Sequence, residues 1–230
     1  MSNRSIHTLL KNWDEECPLT REEAVEVLNL PEEEMDSLME CAYALRTKYK
    51  GKKVSVQLLT NVRSGNCTQN CAYCAQSKDS QAEIEKYKRV SDEKLYGDND
   101  LVDEKHLARH CIGLSGIGFS DEEIEDLADR IREMKKKDTQ ICCSIGFLTE
   151  KQARILKDAG LDRINHNLNS SRSFYPEICT THTYDQRVNN IKMLQSLGFE
   201  ICSGGIVGMG ESKEDIVDML MDLREINPES

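Results

Sequence analysis

Residues 62–77 read VRSGNCTQNCAYCAQS and place Cys67, Cys71 and Cys74 in a C-x3-C-x2-C spacing. The preceding residues form an apolar, strand-like run, so we expect these cysteines on a loop at the end of a strand. Cysteine thiolates are the usual ligands of iron–sulfur clusters. Because three thiolates leave one iron of a four-iron cluster without a protein ligand, the spacing favours a cluster that can bind a cofactor or a substrate directly.

Two alternatives to an iron–sulfur cluster stay open from the spacing alone. A structural zinc site takes four ligands, whereas the loop supplies three, and the nearest histidine, His106, is far along the chain. Structural or redox-active thiols are the other alternative, although three cysteines cannot all pair among themselves. The ten cysteines occur without a secretion signal, which indicates a reducing compartment where thiols more often bind metal than form disulfides.

The composition narrows the class of protein. Of the 230 residues, 31% are charged and 38% are hydrophobic, and no apolar run reaches the roughly 18 residues that a membrane span needs. The polar N-terminus lacks the apolar centre of a signal peptide, so we expect a cytoplasmic protein. The net charge of −11 argues against nucleic-acid binding, which normally needs a basic surface.

The N-terminal part, residues 1–51, is expected to form a helical extension ahead of a core that spans 52–230. The spacing of a capping box places the start of one helix at Thr20. A second helix is predicted to open at Pro31 and to end at Gly51.

From residue 54 the pattern changes to strands that alternate with helices. Strands are predicted at 54–61, 109–113, 140–146, 163–168 and 200–207. The helix predicted at 91–107 is the poorest, because Gly97 and the acidic run 98–100 interrupt it. The alternation indicates βαβ units and a parallel sheet, which doubly wound sheets and (β/α) barrels both contain. In either fold, functional residues collect at the carboxyl ends of the strands.

Three more cysteines, Cys111, Cys142 and Cys202, lie on different predicted strands. Side chains of neighbouring parallel strands can meet in one interior, so these cysteines are a candidate second metal site. A lone strand cysteine is more often a small buried hydrophobe. Cys143 directly follows Cys142 and must face the opposite side of its strand. Cys179 is predicted to lie in a loop, where nothing local gives it a role.

The fourth predicted strand carries polar residues. Asn165 and Asn167 share one face of it, where a polar ligand can bind. His166, between them, is predicted to be a satisfied core histidine rather than a ligand. The glycine-rich run 204–210 follows neither the G-x-G-x-x-G nor the Walker pattern, so no nucleotide-binding fingerprint is indicated. Its glycines allow close approach of the backbone to a bound ligand.

Four segments carry a resemblance to a known family. CTQNCAYCAQS at 67–77 resembles the cluster loop of the radical S-adenosylmethionine (radical SAM) enzymes. RINHNLNSS at 163–171, TTHTYDQRV at 180–188 and ICSGGIVGMGE at 201–211 are similar to the biotin synthases within that superfamily. The resemblance implies a (β/α)8 TIM-type barrel, of which the first five βα units and the N-terminal helices are present. It also implies that the chain, which stops at Ser230, is a truncated part of a longer enzyme.

The resemblance further implies a sulfurtransferase reaction that uses radicals and no acid–base residue. S-adenosyl-L-methionine would be cleaved at a [4Fe-4S] cluster, and sulfur from an auxiliary cluster, commonly [2Fe-2S], would be inserted at C6 and C9 of dethiobiotin to form biotin. The implied partners are dethiobiotin, an electron donor of the flavodoxin or ferredoxin type, and a second copy in a homodimer, with no nucleic acid and no membrane. Another radical SAM enzyme, similar to the hydrogenase maturases or methylornithine synthases, and a non-enzymatic metal-binding module are the alternatives.

The site residues that the resemblance implies fall into four groups. The [4Fe-4S] ligands are Cys67, Cys71 and Cys74, and the auxiliary-cluster ligands are Cys111, Cys142 and Cys202. The cofactor-binding residues are Tyr73, Asn167, Asn169, Arg187 and Ile206, and the substrate-binding residues are Asn165 and Asn167. Asn169 stands where some members have an aspartate, so it keeps a hydrogen-bonding side chain without the charge.

Overall fold

The structure is a computed structural model and describes residues 18–229. The part of the predicted N-terminal extension before residue 18 lies outside the described residues. The elements are α1 (Arg21–Leu28), a 3-10 helix (Glu32–Glu34), α2 (Met35–Lys50), β1 (Gln57–Arg63), α3 (Asp92–Glu104), β2 (Arg109–Leu114), α4 (Asp121–Met134), β3 (Ile141–Ser144), α5 (Glu150–Asp158), β4 (Arg163–Asn165), α6 (Tyr175–Ile178), α7 (Tyr184–Ser196), β5 (Glu200–Cys202) and α8 (Lys213–Ile226). Within 18–229, no helix combines the length and the apolar character that crossing a bilayer requires.

All five strands are parallel, and their order in the sheet is their order in the sequence, β1-β2-β3-β4-β5. A doubly wound sheet reverses its strand order at a switch point, whereas a (β/α) barrel adds each strand beside the previous one. The order therefore decides between the two folds that the sequence pattern left open, in favour of five successive units of a (β/α) barrel.

The strand boundaries differ from the predicted ones at both ends of the sheet. β1 begins at Gln57 rather than at residue 54, and β4 and β5 end at Asn165 and Cys202. Backbone hydrogen bonds continue beyond the regular strands, from His166 N–H to the oxygen of Cys202 (2.9 Å) and from Asn169 N–H to the oxygen of Gly204 (3.0 Å). Beyond the regular strands, an isolated bridge between Asn169 and Gly205 joins the two chain segments.

Helix α3 is continuous across Gly97 and the acidic run, so the prediction of an interruption was wrong. Asp98 and Asn99 are buried rather than solvent-exposed. The Thr60 hydroxyl donates to Asp98 Oδ2 (2.7 Å), and Asn99 Nδ2 donates to the backbone oxygen of Met134 (3.2 Å). Buried polar groups that find partners do not oppose folding. Those partners lie on other elements, which is why the local sequence did not indicate them.

Helix α1 begins as predicted and packs against the last helix, whereas Pro31 precedes a short 3-10 helix and α2 begins only at Met35. The capping box at Thr20 is present at the start of α1, and Gly51 ends α2 with φ of 65°. The guanidinium of Arg21 donates to Asp218 (2.5 Å), which ties α1 to α8. The extension thus contacts the barrel core through α8, and its separation into a domain stays a prediction.

Gly146 lies in the loop after β3, at the point where this loop contacts the loop after β2. A Cβ atom at Gly146 would lie 2.3 Å from the backbone oxygen of Ile117, and the N–H of Phe147 donates to the same oxygen (2.7 Å). We expect Gly146→Ala to lower the free energy of unfolding by about 1–3 kcal/mol, because a rigid backbone contact must move. Urea unfolding of the purified chain measures the change.

Gly97 in α3 provides the matched control for this prediction. It is exposed, and an added Cβ there meets no atom of the described residues within 4 Å. Gly97→Ala is expected to raise the free energy of unfolding by about 0.5–1 kcal/mol, since alanine favours a helix interior. Equal effects of the two substitutions would contradict the close approach at Gly146.

Candidate functional site

A cavity of about 310 Å³ lies at the carboxyl ends of the strands. It is where parallel βα units gather their functional residues. The cavity brings together most of the residues that the sequence singled out: Cys67, Cys71, Tyr73, Cys74, Asn165, His166, Asn167, Asn169 and Arg187. Ile206, Cys111, Cys142 and Cys202 are not among its lining residues.

The cysteine loop leaves β1 through a sharp left-handed turn. Gly65 and Asn66 have φ of 73° and 56°, which glycine and asparagine tolerate better than other residues. Cys71 is buried, and Cys67 and Cys74 are half-buried. The three sulfurs therefore face the protein and the cavity rather than bulk solvent, which is what a bound cluster needs.

Two residues that the sequence did not connect with the cysteine loop, Cys179 and His182, lie beside Cys71. Cys179 lies in a loop, as predicted, and its contact with Cys71 spans 108 residues of sequence, so no local pattern indicates it. Cys71 Sγ lies 3.7 Å from Cys179 Sγ, and Cys179 Sγ lies 3.3 Å from Nδ1 of His182. In the described part of the chain, these three residues are the group of metal-ligating side chains whose donor atoms all lie within 4.8 Å of one another. His182, rather than the distant His106, is thus the histidine nearest to the loop in space.

The thiols of this group are strongly influenced by their surroundings. Burial, together with the neighbouring Cys179, raises the pKa of Cys71 to about 12. Burial also acts to raise the pKa of Cys179, but hydrogen bonds from Thr181 and from the backbone of His182 bring it below its ordinary value. Cys179 is therefore the more acidic thiol of the pair when no metal is bound.

Arg187 supplies a fixed positive charge at the side of the cavity. Its Nε donates to Tyr175 Oη (2.5 Å), its Nη1 donates to the backbone oxygen of Asn167 (3.1 Å), and its Nη2 lies 2.9 Å from His182 Nε2. Burial opposes the charged guanidinium, yet the pKa of Arg187 is raised because Tyr175, Tyr73 and Cys71 favour the cation. This arrangement can bind a carboxylate.

Asn169, Tyr73 and Ile206 lie together, as the predicted cofactor site requires. Asn169 Nδ2 donates to Tyr73 Oη (2.6 Å). The backbone N–H of Ile206 donates to the oxygen of Asn169 (2.8 Å), so the half-buried Ile206 is held beside the asparagine although it does not line the cavity. The three residues offer hydrogen-bonding groups and an apolar side chain at one edge of the site.

His166 is buried, as predicted, but it is not a satisfied core residue. Its Nε2 has no hydrogen-bond partner within residues 18–229, and the residue lines the cavity together with Asn165 and Asn167. A buried polar nitrogen without a partner is rare. The nitrogen is therefore an unsatisfied buried polar atom beside the cavity.

The strand cysteines do not line the cavity, and within residues 18–229 their three sulfurs do not all lie within 4.8 Å of one another. Cys111 and Cys142 are register partners on β2 and β3, and their hydrogen bond lowers the pKa of Cys111 to about 7. Cys202 on β5 accepts a hydrogen bond from Asn165 Nδ2 (3.2 Å). Cys143 faces the opposite side and is fully buried in the apolar core, as predicted.

Comparison with known proteins places the chain in a family. The profile of the radical SAM superfamily matches residues 61–223. The chain belongs to the radical SAM superfamily. The matched region contains the cysteine loop, the carboxyl ends of all five strands and Arg187.

Curated relatives of this radical SAM protein are biotin synthases. That of Geobacillus kaustophilus (strain HTA426) is 40% identical over 213 residues, which cover 92% of this chain and 64% of the relative. That of Rhodopirellula baltica is 40% identical over 93% of this chain and 60% of the relative. The chain therefore spans less than two thirds of the length of these relatives.

Solved structures show the same fold at low sequence identity. Methylornithine synthase (PylB) superposes with a TM-score of 0.84 at 16% identity, over 96% of this chain and 64% of that one. HydG, a maturase of the [FeFe]-hydrogenase, superposes with a TM-score of 0.79 at 18% identity, over 96% and 50%. These similarities confirm the (β/α) barrel fold.

The residues of the cavity fit the groups that radical SAM proteins use, a [4Fe-4S] cluster and S-adenosylmethionine. Three thiols on one loop are a suitable donor set for a cluster with one free iron. His166, Arg187 and Asn169 line the same cavity, and the unpartnered His166 Nε2 is buried beside it. The iron ligands of a cluster are spread over separate irons, so they need not meet as closely as Cys71, Cys179 and His182 do.

Three buried histidines make the stability of this radical SAM protein depend on pH. Burial lowers the pKa from 6.5 to about 4 in His110, to about 3 in His166 and to about 4 in His182. The stability that these neutral, buried histidines contribute to the folded state is fully present above about pH 6.5. Because the unfolded histidines take up protons first, the free energy of unfolding should fall from pH 6.5 towards 4, by up to about 1.4 kcal/mol per pH unit for each histidine.

Urea unfolding at several pH values between 7 and 4.5 measures this slope. His110→Gln is expected to reduce the slope, whereas His106→Asn, at an exposed position, should leave it unchanged. A free energy of unfolding that stays constant across this range would contradict the low pKa values of the buried histidines.

Proposed function

We propose that this chain carries the active site of a biotin synthase. The observation that supports this most strongly is the combination of sequence identity to biotin synthases with two separate cysteine groups, one lining the cavity and one on the strands of the same barrel. The cluster and S-adenosylmethionine, when bound, would supply the radical chemistry that hydrogen abstraction from C9 and C6 of dethiobiotin requires.

The residues of the cavity bind and orient the reactants in this proposal. Cys67, Cys71 and Cys74 hold the cluster. Arg187, a cation held by Tyr175 and His182, binds the carboxylate of S-adenosylmethionine. Such fixed partners keep reacting groups in place and exclude water, which is the contribution of a protein to chemistry that belongs to its cofactors.

Other residues complete the proposed site. Tyr73, Asn167 and Asn169 bind the polar parts of S-adenosylmethionine, and Ile206 packs against its adenine. Asn165 and Asn167 bind dethiobiotin. Asn165 also donates to Cys202 Sγ (3.2 Å), so it lies between the substrate position and the strand cysteines.

We further propose that Cys111, Cys142 and Cys202 hold an auxiliary iron–sulfur cluster, [2Fe-2S] in its common form, as the sulfur source. The three residues lie on β2, β3 and β5. A flavodoxin- or ferredoxin-type electron donor, a homodimer and a cytoplasmic location complete the proposal.

Anaerobic reconstitution with iron and sulfide tests the proposal. We expect iron–sulfur absorption, reductive cleavage of S-adenosylmethionine, and biotin when dethiobiotin is added. Because the chain covers 64% of the Geobacillus relative, a parallel assay uses a protein in which the C-terminal third of that relative follows Ser230. Cleavage without biotin in both proteins would indicate another radical SAM reaction, and a zinc site with neither activity would contradict the proposal.

A further inference from the structure

Two chain segments that are far apart in sequence are joined beside the cysteine loop. The backbone N–H of Ala72 donates to the oxygen of Ile178 (2.9 Å). Cys71 and Cys179 are the immediate neighbours of these two residues, and their sulfurs lie 3.7 Å apart. The backbone bond therefore fixes the two cysteines opposite each other.

The side chain of Asn70 strengthens this junction. Its Oδ1 accepts the backbone N–H groups of Thr180 (3.1 Å) and Thr181 (3.3 Å), and its Nδ2 donates to Thr180 Oγ1 (2.6 Å). On the other side, Gln69 Oε1 bonds to His182 Nδ1 (2.9 Å). Because residues on both sides of each cysteine are tied, the two sulfurs remain close without a metal between them.

We propose that Cys71 and Cys179 form a reversible disulfide when the cluster is absent, and that the bond withdraws Cys71 from the cluster ligands. A disulfide has an S–S distance of about 2.05 Å, so closing the present gap is a side-chain movement rather than a rearrangement of the loop. The segment 67–74 contains two further cysteines, yet it is Cys179, outside the loop, that faces Cys71. The inference does not depend on which substrate the enzyme uses.

Hydrogen peroxide is a suitable oxidant because it is small enough to reach buried thiols. The thiolate form of a cysteine is the nucleophile, and the Cys179 sulfur lies 3.7 Å from Cys71 Sγ, within reach for the second step. The thiolate attacks one peroxide oxygen, the O–O bond breaks, and the leaving hydroxide takes a proton to become water. The Cys71 thiol then attacks the resulting sulfenic acid, forming the S–S bond and a second water. Two thiols lose two electrons, and peroxide gains them.

A single metal ion is the competing occupant of this group, but the hydrogen bonds of His182 disfavour it. Its Nδ1 is bonded to Gln69 Oε1 (2.9 Å), and its Nε2 lies 2.9 Å from Arg187 Nη2. Both ring nitrogens are thus engaged, and a cation would lie close to a guanidinium. Neither of these features opposes a disulfide between the two sulfurs.

Peptide mapping of the full chain tests the proposal directly. The chain is freed of metal with a chelator under nitrogen, treated with hydrogen peroxide, alkylated and digested with trypsin without reduction. Cleavage after Arg63 and Arg172 places Cys71 in the peptide 64–78 and Cys179 in the peptide 173–187. We expect these peptides to be linked, with a loss of two hydrogens, and fragmentation to assign the link to Cys71. Dithiothreitol should reverse it.

Two variants distinguish the Cys71–Cys179 disulfide from peroxide oxidation of other cysteines. Cys74→Ser should keep the link, whereas Cys179→Ser should lose it. Peroxide should also abolish later reconstitution of the cluster held by Cys67, Cys71 and Cys74 in the unaltered chain, with full recovery after dithiothreitol. Linkage of Cys71 to Cys67 or Cys74, or a free Cys179 after oxidation, would overturn the proposal. So would stoichiometric zinc that is bound in the unaltered chain, lost in Cys179→Ser, and protective against peroxide.

Discussion

Cys71→Ala is expected to lower reductive cleavage of S-adenosylmethionine by more than about 100-fold, since even the outer partners of metal ligands are worth about 10–100-fold. Cys71 is the most buried cysteine of the loop, with 8% of its surface exposed. Its loss leaves a second iron of the cluster without a protein ligand. Quantifying 5′-deoxyadenosine by mass spectrometry, after anaerobic reconstitution and reduction with dithionite, measures the effect.

Cys41→Ala is the matched control for this variant. Cys41 is a half-buried cysteine on α2 that packs with residues of the N-terminal helices, far from the cysteine loop in the chain. It should retain cleavage and iron content. Cleavage that survives in Cys71→Ala with an unchanged iron–sulfur absorption spectrum would show that Cys71 is not a cluster ligand.

Local patterns predicted the alternation of strands and helices well, for a physical reason. Capping boxes at Ser120, Thr149 and Ser212 involve residues three positions apart, so the information lies within one turn of chain. The predicted interruption of α3 at Asp98 was wrong because the stabilising contact of this residue is not local. Its partner Thr60 is 38 residues away, and a polar residue in isolation predicts exposure.

The residues of the candidate site likewise fall into those that a local sequence pattern predicts and those that only the fold brings together. The spacing of Cys67, Cys71 and Cys74 is local, so the sequence alone indicated a metal site. Cys179 reaches Cys71 across 108 residues, through a junction of backbone and side-chain bonds that no local pattern encodes. The sequence could have suggested it only through the fact that the carboxyl ends of β1 and β4 lead into loops on the same side of the sheet.

Cys142→Ala is expected to separate the two activities of the proposed enzyme. Cys142 lies on β3 beside Cys111 and does not line the cavity of the cysteine loop. Substitutions at distant sites without shared partners act independently, so cleavage of S-adenosylmethionine should stay within about twofold of the unaltered enzyme. Biotin formation should fall by more than about 100-fold, because the auxiliary cluster loses a ligand. Both products are measured in one reaction.

Cys143→Ala is the control that makes this result specific. It alters the next residue of the same strand, which faces the apolar core instead of the strand cysteines, and it removes a similar volume from a buried position. Any general weakening of β3 should appear in both variants. Biotin formation lost in Cys142→Ala and kept in Cys143→Ala would therefore reflect the sulfur source, whereas loss of cleavage and biotin together in Cys142→Ala alone would mean that the two cysteine groups serve one site.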